Sequence, residues 1–283
     1  MATHPRRALV RHLVLAVLPL VVAAPLIVAP PASALDGSVL IGHRCRTYDA
    51  AVTNEDTVAA LADVAAVPGA TCEVDVWRLA DNHHIIWHDD TWERVADPAT
   101  LPEGVLPTDR VADATWDQVS QIRTLGGEPV ATLRGIVNAS ARYGVPLMVE
   151  LRNGVADPQG IADYVAESGA SVSFYKQPSS TCDLGDLPAL HDAGLPIGLK
   201  LSDTIACQPT NDEVAATGAS YVTQAPASIT PDYTADLAAR GIAVYARWVT
   251  ESTYQAAFDN GAAKVMVDRP ADALAWELAP PAQ

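Results

Sequence analysis

Apolar runs rich in valine and isoleucine recur along this chain, separated by alanine-rich stretches with helical spacing. Eight runs read as strands, at residues 39–43, 71–76, 147–152, 172–175, 197–201, 221–224, 243–248 and 264–268. The clearest helical stretches between them are 55–67, 133–143, 160–168, 231–240 and 252–260. Strand and helix in alternation predict parallel strands joined by right-handed crossovers.

A ninth apolar run, residues 85–88, decides between an open sheet and a closed one. It follows Val76 after only a short polar stretch, too little chain for a parallel crossover, which takes about a dozen residues or more. Asp81-Asn82 supplies a turn, so the run is expected to return antiparallel as a hairpin. The remaining eight strands predict an α/β fold, a closed (β/α)8 barrel of the TIM type with a β-hairpin excursion after its second strand. In such barrels the chemistry sits at the C-terminal ends of the strands.

The first residues stand outside this pattern. Arg6, Arg7 and Arg11 precede an apolar run from Leu13 to Val28 that Pro19 and Pro25 interrupt, and Ala32-Ser33-Ala34 offers small residues for cleavage. This reads as a secretory signal over residues 1–34, since a spanning helix needs about 20 uninterrupted apolar residues. The twin arginines are compatible with the twin-arginine export route. Residues 35–283 then form a single domain, near the roughly 250 residues such a barrel takes.

Removing three arginines takes the formal charge of −16 still further negative. Such a balance opposes non-specific attraction to nucleic acid or to an anionic membrane, so the expectation is a secreted protein with neither partner. Four cysteines outside the cytoplasm are expected to pair, with three possible connectivities. Spacing pairs Cys182 with Cys207, both after neighbouring strands, and Cys45 with Cys72.

Polar residues interrupt the apolar strands at their ends. Side chains alternate along a strand, so Glu73 and Asp75 project to one face while Cys72, Val74 and Val76 project to the other. Like charges on a packed strand repel and lose hydration unless a cation lies between them. Glu150 and Arg152 share a face at the end of the next barrel strand, adding a third carboxylate and a cation. Oxygen ligands alone suit a hard ion, Ca²⁺ or Mg²⁺. His43 ends the first strand and His88 the returning hairpin, placing two acid–base candidates on the same rim. Arg44, Arg152 and Lys200 are candidates for phosphate, with a structural ion pair as the other reading of Lys200. Glu55 is expected to organise the loop after the first strand, and His83 and His84 to lie in the hairpin turn.

The ordered motifs Ile41-Gly42-His43-Arg44, Asn54-Glu55-Asp56-Thr57, Glu73-Val74-Asp75-Val76, His88-Asp89, Glu150-Leu151-Arg152 and Asp268-Arg269-Pro270 resemble those of the glycerophosphodiester phosphodiesterases. The resemblance spans nearly all of residues 35–283. It implies a TIM-type barrel, a divalent metal held by Glu73, Asp75 and Glu150, and His43 with His88 as acid and base. It also implies a small phosphodiester substrate, cleaved to glycerol phosphate and an alcohol.

Several motifs depart from the usual pattern. His-Arg-Gly becomes His43-Arg44-Cys45, Pro-Glu-Asn-Thr becomes Asn54-Glu55-Asp56-Thr57, and Glu-x-Lys becomes Glu150-Leu151-Arg152. Arg247-Trp248-Val249-Thr250 stands where the family has Trp-Thr-Val-Asn, which alters the alcohol side of the pocket. Two other readings are a phospholipase D-like or sphingomyelinase D-like lipid phosphodiesterase and a non-catalytic binding protein on the same barrel.

Overall fold

The structure, a computed structural model, describes residues 39–46 and 54–276. The signal segment expected over residues 1–34 lies outside the described residues. Eight parallel strands close a barrel: β1 (Leu40–Gly42), β2 (Thr71–Arg78), β4 (Leu147–Leu151), β5 (Val172–Lys176), β6 (Ile197–Lys200), β7 (Tyr221–Gln224), β8 (Ala243–Ala246) and β9 (Lys264–Val267). Closure falls at β1, which pairs with β9 on one side and with Thr71 and Cys72 of β2 on the other. The short β3 (His84–Ile86) pairs antiparallel with Val76–Arg78 of β2, the hairpin that the turn at Asp81-Asn82 predicts. His84 belongs to that strand and not to the turn, and its Nε2 accepts from the Ala156 N–H at 3.2 Å.

Alternation along the strands builds two apolar layers. Cys72, Val74 and Val76 face outward into a core shared with the surrounding helices. Ile41, Met148, Tyr175, Tyr221 and Met266 fill the barrel interior as a smaller cluster. Gly198 serves that interior, because a Cβ there would collide with the Tyr221 ring.

The helices are α1 (Val58–Val64), α2 (Trp116–Val119), α3 (Leu133–Tyr143), α4 (Pro158–Ser168), α5 (Leu187–Asp192), α6 (Asn211–Ala216), α7 (Pro231–Ala238), α8 (Glu251–Asp259) and α9 (Pro270–Trp276). The expected helix at 55–67 begins only at Val58. Thr57 caps it by accepting from the Ala60 N–H, which leaves Glu55 and Asp56 in the preceding turn. Helices α5 and α6 escape a periodicity argument because six residues make fewer than two turns.

Between β3 and α3 the chain makes a long excursion with an apolar cluster of its own, in which Trp87, Trp92, Val111 and Ile122 pack on Trp77 and Ile85 of the hairpin. It carries Asp89 and Arg94 to the barrel rim. Both expected disulfides are present, Cys45 to Cys72 with Cα atoms 4.8 Å apart and Cys182 to Cys207 with Cα atoms 5.1 Å apart. Among the described residues no helix is long and apolar enough to cross a membrane.

Candidate active site

Register places the carboxylates. Asp75 of β2 pairs with Glu150 of β4, and Glu73 lies two residues earlier on the same face. All three are buried, and they offer ligand oxygens within 4.8 Å of one another. Glu150 in turn pairs with Tyr175 of β5. The Tyr175 hydroxyl donates to Glu73 Oε1 at 2.8 Å and lies 3.1 Å from Glu150 Oε2.

The surrounding charges treat the three acids unequally. Glu73 Oε2 accepts from the Arg44 backbone N–H at 2.8 Å. Lys200 reaches both oxygens of Glu150, at 2.8 and 2.7 Å. Burial alone would raise Glu150, but Lys200 and Arg152 outweigh it and hold the carboxyl below its ordinary value. Asp75 shares Arg152, whose guanidinium lies 3.5 Å away, but has no lysine, and both of its carboxylate oxygens are buried without a hydrogen-bond partner. Burial first, then Glu73, Asp56 and Glu150, push its pKa well above the usual carboxylate range. A buried carboxylate without a hydrogen bond, between two others, fits a hard divalent cation, and Glu73, Asp75 and Glu150 are the residues that could hold one.

Two histidines flank this centre, each backed by a carboxylate. His43 Nδ1 lies 2.8 Å from Asp268 Oδ1, a hydrogen bond that is the main cause holding Asp268 below the ordinary carboxylate range. His88 Nδ1 lies 2.6 Å from Asp89 Oδ1, and its Nε2 is 2.8 Å from Arg44 Nη2. A guanidinium only donates, so Nε2 accepts and Nδ1 carries the proton. Burial, with Arg44 and Arg152 adding to it against the opposing Asp89 bond, lowers the His88 pKa to about 4.

Arg44 is held by Glu55, which also accepts from Arg94, and Arg94 grips both oxygens of Asp89. Glu55 therefore organises the loop, as expected, and does not join the carboxylate triad. Arg44 and Cys45 both adopt φ of +54°, a region non-glycine residues rarely occupy. Cys45 stands where the related motif has glycine, and its bridge to Cys72 ties this turn to the residue beside Glu73.

The structure thus gathers His43, Arg44, Glu73, Asp75, His88, Glu150, Arg152 and Lys200 on one rim. Lys200 takes the ion-pair geometry of its two readings. Arg247 is buried at the end of β8, donating to the Thr223 carbonyl at 2.8 Å and lying over the exposed Trp248 ring. Sequence reasoning assigned no site role to three participants: Asp268 behind His43, Tyr175 between two acids, and Asp56, whose Oδ1 accepts from the Asp75 N–H at 3.2 Å. Asp268 was legible as a strand end, and Asp56 as a departure within a motif.

A family model described as the glycerophosphoryl diester phosphodiesterase family matches residues 43–193, just over half of the chain. No curated protein matches the chain by sequence. Among solved structures, a glycerophosphodiester phosphodiesterase from Parabacteroides distasonis is similar with a TM-score of 0.68 at 13% identity, over 86% of this chain and 99% of that one. An Oleispira antarctica phosphodiesterase in complex with the product sn-glycerol-3-phosphate gives 0.67 at 17% identity, over 85% and 96%. A glycerophosphodiester phosphodiesterase from Agrobacterium tumefaciens gives 0.64 at 19%, over 83% and 98%. The fold is the barrel these enzymes share, and the class is that of phosphodiester hydrolases. The chain belongs to the glycerophosphoryl diester phosphodiesterase family.

Proposed function

We propose that this protein is a secreted, divalent-cation-dependent phosphodiesterase that cleaves glycerophosphodiesters to glycerol phosphate and an alcohol. The observation that carries the reading is Asp75, buried between Glu73 and Glu150 with neither carboxylate oxygen hydrogen-bonded, and a carboxylate-backed histidine at the end of each neighbouring strand or hairpin. The product in the Oleispira antarctica complex supports a small-molecule substrate. Two disulfides support an oxidising compartment, in keeping with export.

Glu73, Asp75 and Glu150 would hold Ca²⁺ or Mg²⁺, which supplies charge neutralisation at phosphate and a lowered pKa for a nearby hydroxyl. His88, neutral and with its Nε2 lone pair released once phosphate draws off the Arg44 guanidinium, takes the proton from the glycerol hydroxyl as that oxygen attacks phosphorus. His43, oriented through Nδ1 by Asp268, gives a proton to the departing alcohol oxygen as its bond to phosphorus breaks. The resulting cyclic phosphate is opened by water with the two roles reversed. Arg44 and Arg152 stabilise the charge that develops on the phosphoryl oxygens. Lys200 keeps Glu150 ionised and in place.

The direct test is a panel of glycerophosphodiesters and lysolipids assayed with added Ca²⁺ or Mg²⁺. Glycerol phosphate released from glycerophosphodiesters in preference to lysolipids is expected. Turnover confined to lysolipids would replace this reading with the lipid phosphodiesterase, and no turnover at all would favour a binding protein.

A further inference from the structure

Asp56 lies outside the carboxylate triad yet shares its interior. It is only 3% exposed. Its backbone N–H donates to the Arg44 carbonyl at 3.0 Å, and its Oδ1 accepts from the Asp75 N–H at 3.2 Å. Its Oδ2 is buried with no hydrogen-bond partner, and its φ is +58°, in the left-handed region that aspartate and asparagine adopt more readily than other non-glycine residues. The contact to Asp75 requires an acceptor but not a charge, so an asparagine would serve it equally well.

The charge therefore calls for its own account. Arg44 and Arg94 are answered by Glu55 and Asp89. That leaves Glu73, Asp75, Glu150 and Asp56 against Lys200 and Arg152. With all of them ionised, a single divalent cation brings this group to neutrality. Without the Asp56 charge, the same ion would leave one net positive charge facing the phosphodiester.

We propose that Asp56 is a fourth carboxylate serving the cation site, adding its charge from outside the triad beside Asp75. It raises affinity for the divalent ion and weakens the electrostatic attraction for the anionic substrate. This rests on the reading that Glu73, Asp75 and Glu150 bind such an ion.

The test is calorimetric titration of Ca²⁺ into chelator-treated, full-length Asp56→Asn beside wild type, with thermal unfolding in chelator as the check on folding. Asparagine preserves the acceptor for the Asp75 N–H, and Asp56→Ser is a second neutral variant should the first not fold. The expected result is an affinity weakened at least tenfold, the usual cost of losing an outer-shell partner, with unfolding in chelator at the same temperature or higher. KM for a glycerophosphodiester at saturating Ca²⁺ is expected to fall. Wild-type affinity in either folded neutral variant would overturn the role of Asp56 alone. A wild-type protein that bound no Ca²⁺ would overturn the triad reading together with it.

Discussion

Arg44 Nη2 and His88 Nε2 stand 2.8 Å apart, so a cation hydrogen-bonds the nitrogen lone pair that a general base would use. The same arginine donates its backbone N–H to Glu73 and its Nη1 to Glu55. One residue thus couples the candidate base to the carboxylate triad and to the loop before α1. Substrate phosphate arriving at Arg44 would compete for the guanidinium and free His88 for proton transfer.

His88→Ala and His43→Ala are each expected to lower kcat by about 10² to 10⁴, with Ca²⁺ affinity largely kept because the carboxylates remain. They differ in one respect. A better leaving group needs no proton from His43, so a leaving-group series rescues His43→Ala far more than His88→Ala. Equal rescue of the two variants would contradict the assignment.

His88 also gives a stability signature with a definite sign. Its folded pKa of about 4 lies below the ordinary histidine value of about 6.5, so as pH falls the unfolded chain takes up the proton first. The fold therefore loses stability between about pH 6.5 and about pH 4. Urea unfolding across that window is expected to show a shallower loss in His88→Gln than in wild type. Parallel curves would count against a buried neutral imidazole.

The raised carboxyl of Asp75 acts in the opposite sense. A folded pKa above the unfolded one gives stability at low pH that is lost as pH rises through the folded value. Chelator-treated protein is expected to unfold more easily as pH rises above the ordinary carboxylate range, and added Ca²⁺ to restore most of that loss. Thermal unfolding at several pH values, with and without the ion, measures it. An equal response to Ca²⁺ at every pH would contradict it.

Cys45 and Cys72 join the His43-Arg44 turn to the strand that carries Glu73 and Asp75. Removing the bridge with Cys45→Ala and Cys72→Ala together is expected to cost about 3 kcal/mol of stability. Turnover is expected to drop further than for the matched change at Cys182 and Cys207, whose bridge touches neither histidine. Equal activity in the two double variants would assign the first bridge to stability alone.

Tyr175→Phe keeps the ring in the barrel interior and removes the hydroxyl that donates to Glu73. Leaving a buried acceptor without its donor costs about 1–3 kcal/mol, and the loss of a partner to a metal ligand weakens cation affinity about tenfold or more. Unfolding and Ca²⁺ titration on one variant check both. An unchanged affinity would reduce Tyr175 to a packing residue.

The parts of this site that could be read from sequence are those that a strand's period of two determines. Glu73, Asp75 and Glu150 sit on inward positions of buried barrel strands, alternating with apolar residues that face the helices, where a charge calls for a counter-ion. The hairpin was legible because too few residues separate Val76 from Ile85 for a crossover. Tyr175 was not, since a tyrosine at a strand end looks like any core aromatic until its register with Glu150 is known. Asp56 depends on a left-handed turn that no periodicity encodes. The excursion after β3 has its own apolar cluster, built from scattered tryptophans and valines without a repeat, so its packing becomes apparent only in three dimensions.

The central claim is that Glu73, Asp75 and Glu150 hold a cation on which hydrolysis depends. The measurement that tests it most directly is turnover of glycerophosphocholine by metal-analysed, chelator-treated protein during back-titration with Ca²⁺, beside Asp75→Asn. The account predicts no turnover without the ion, recovery as one equivalent binds in the wild type, and neither binding nor recovery in the variant. Full turnover by protein shown to be free of metal would contradict it.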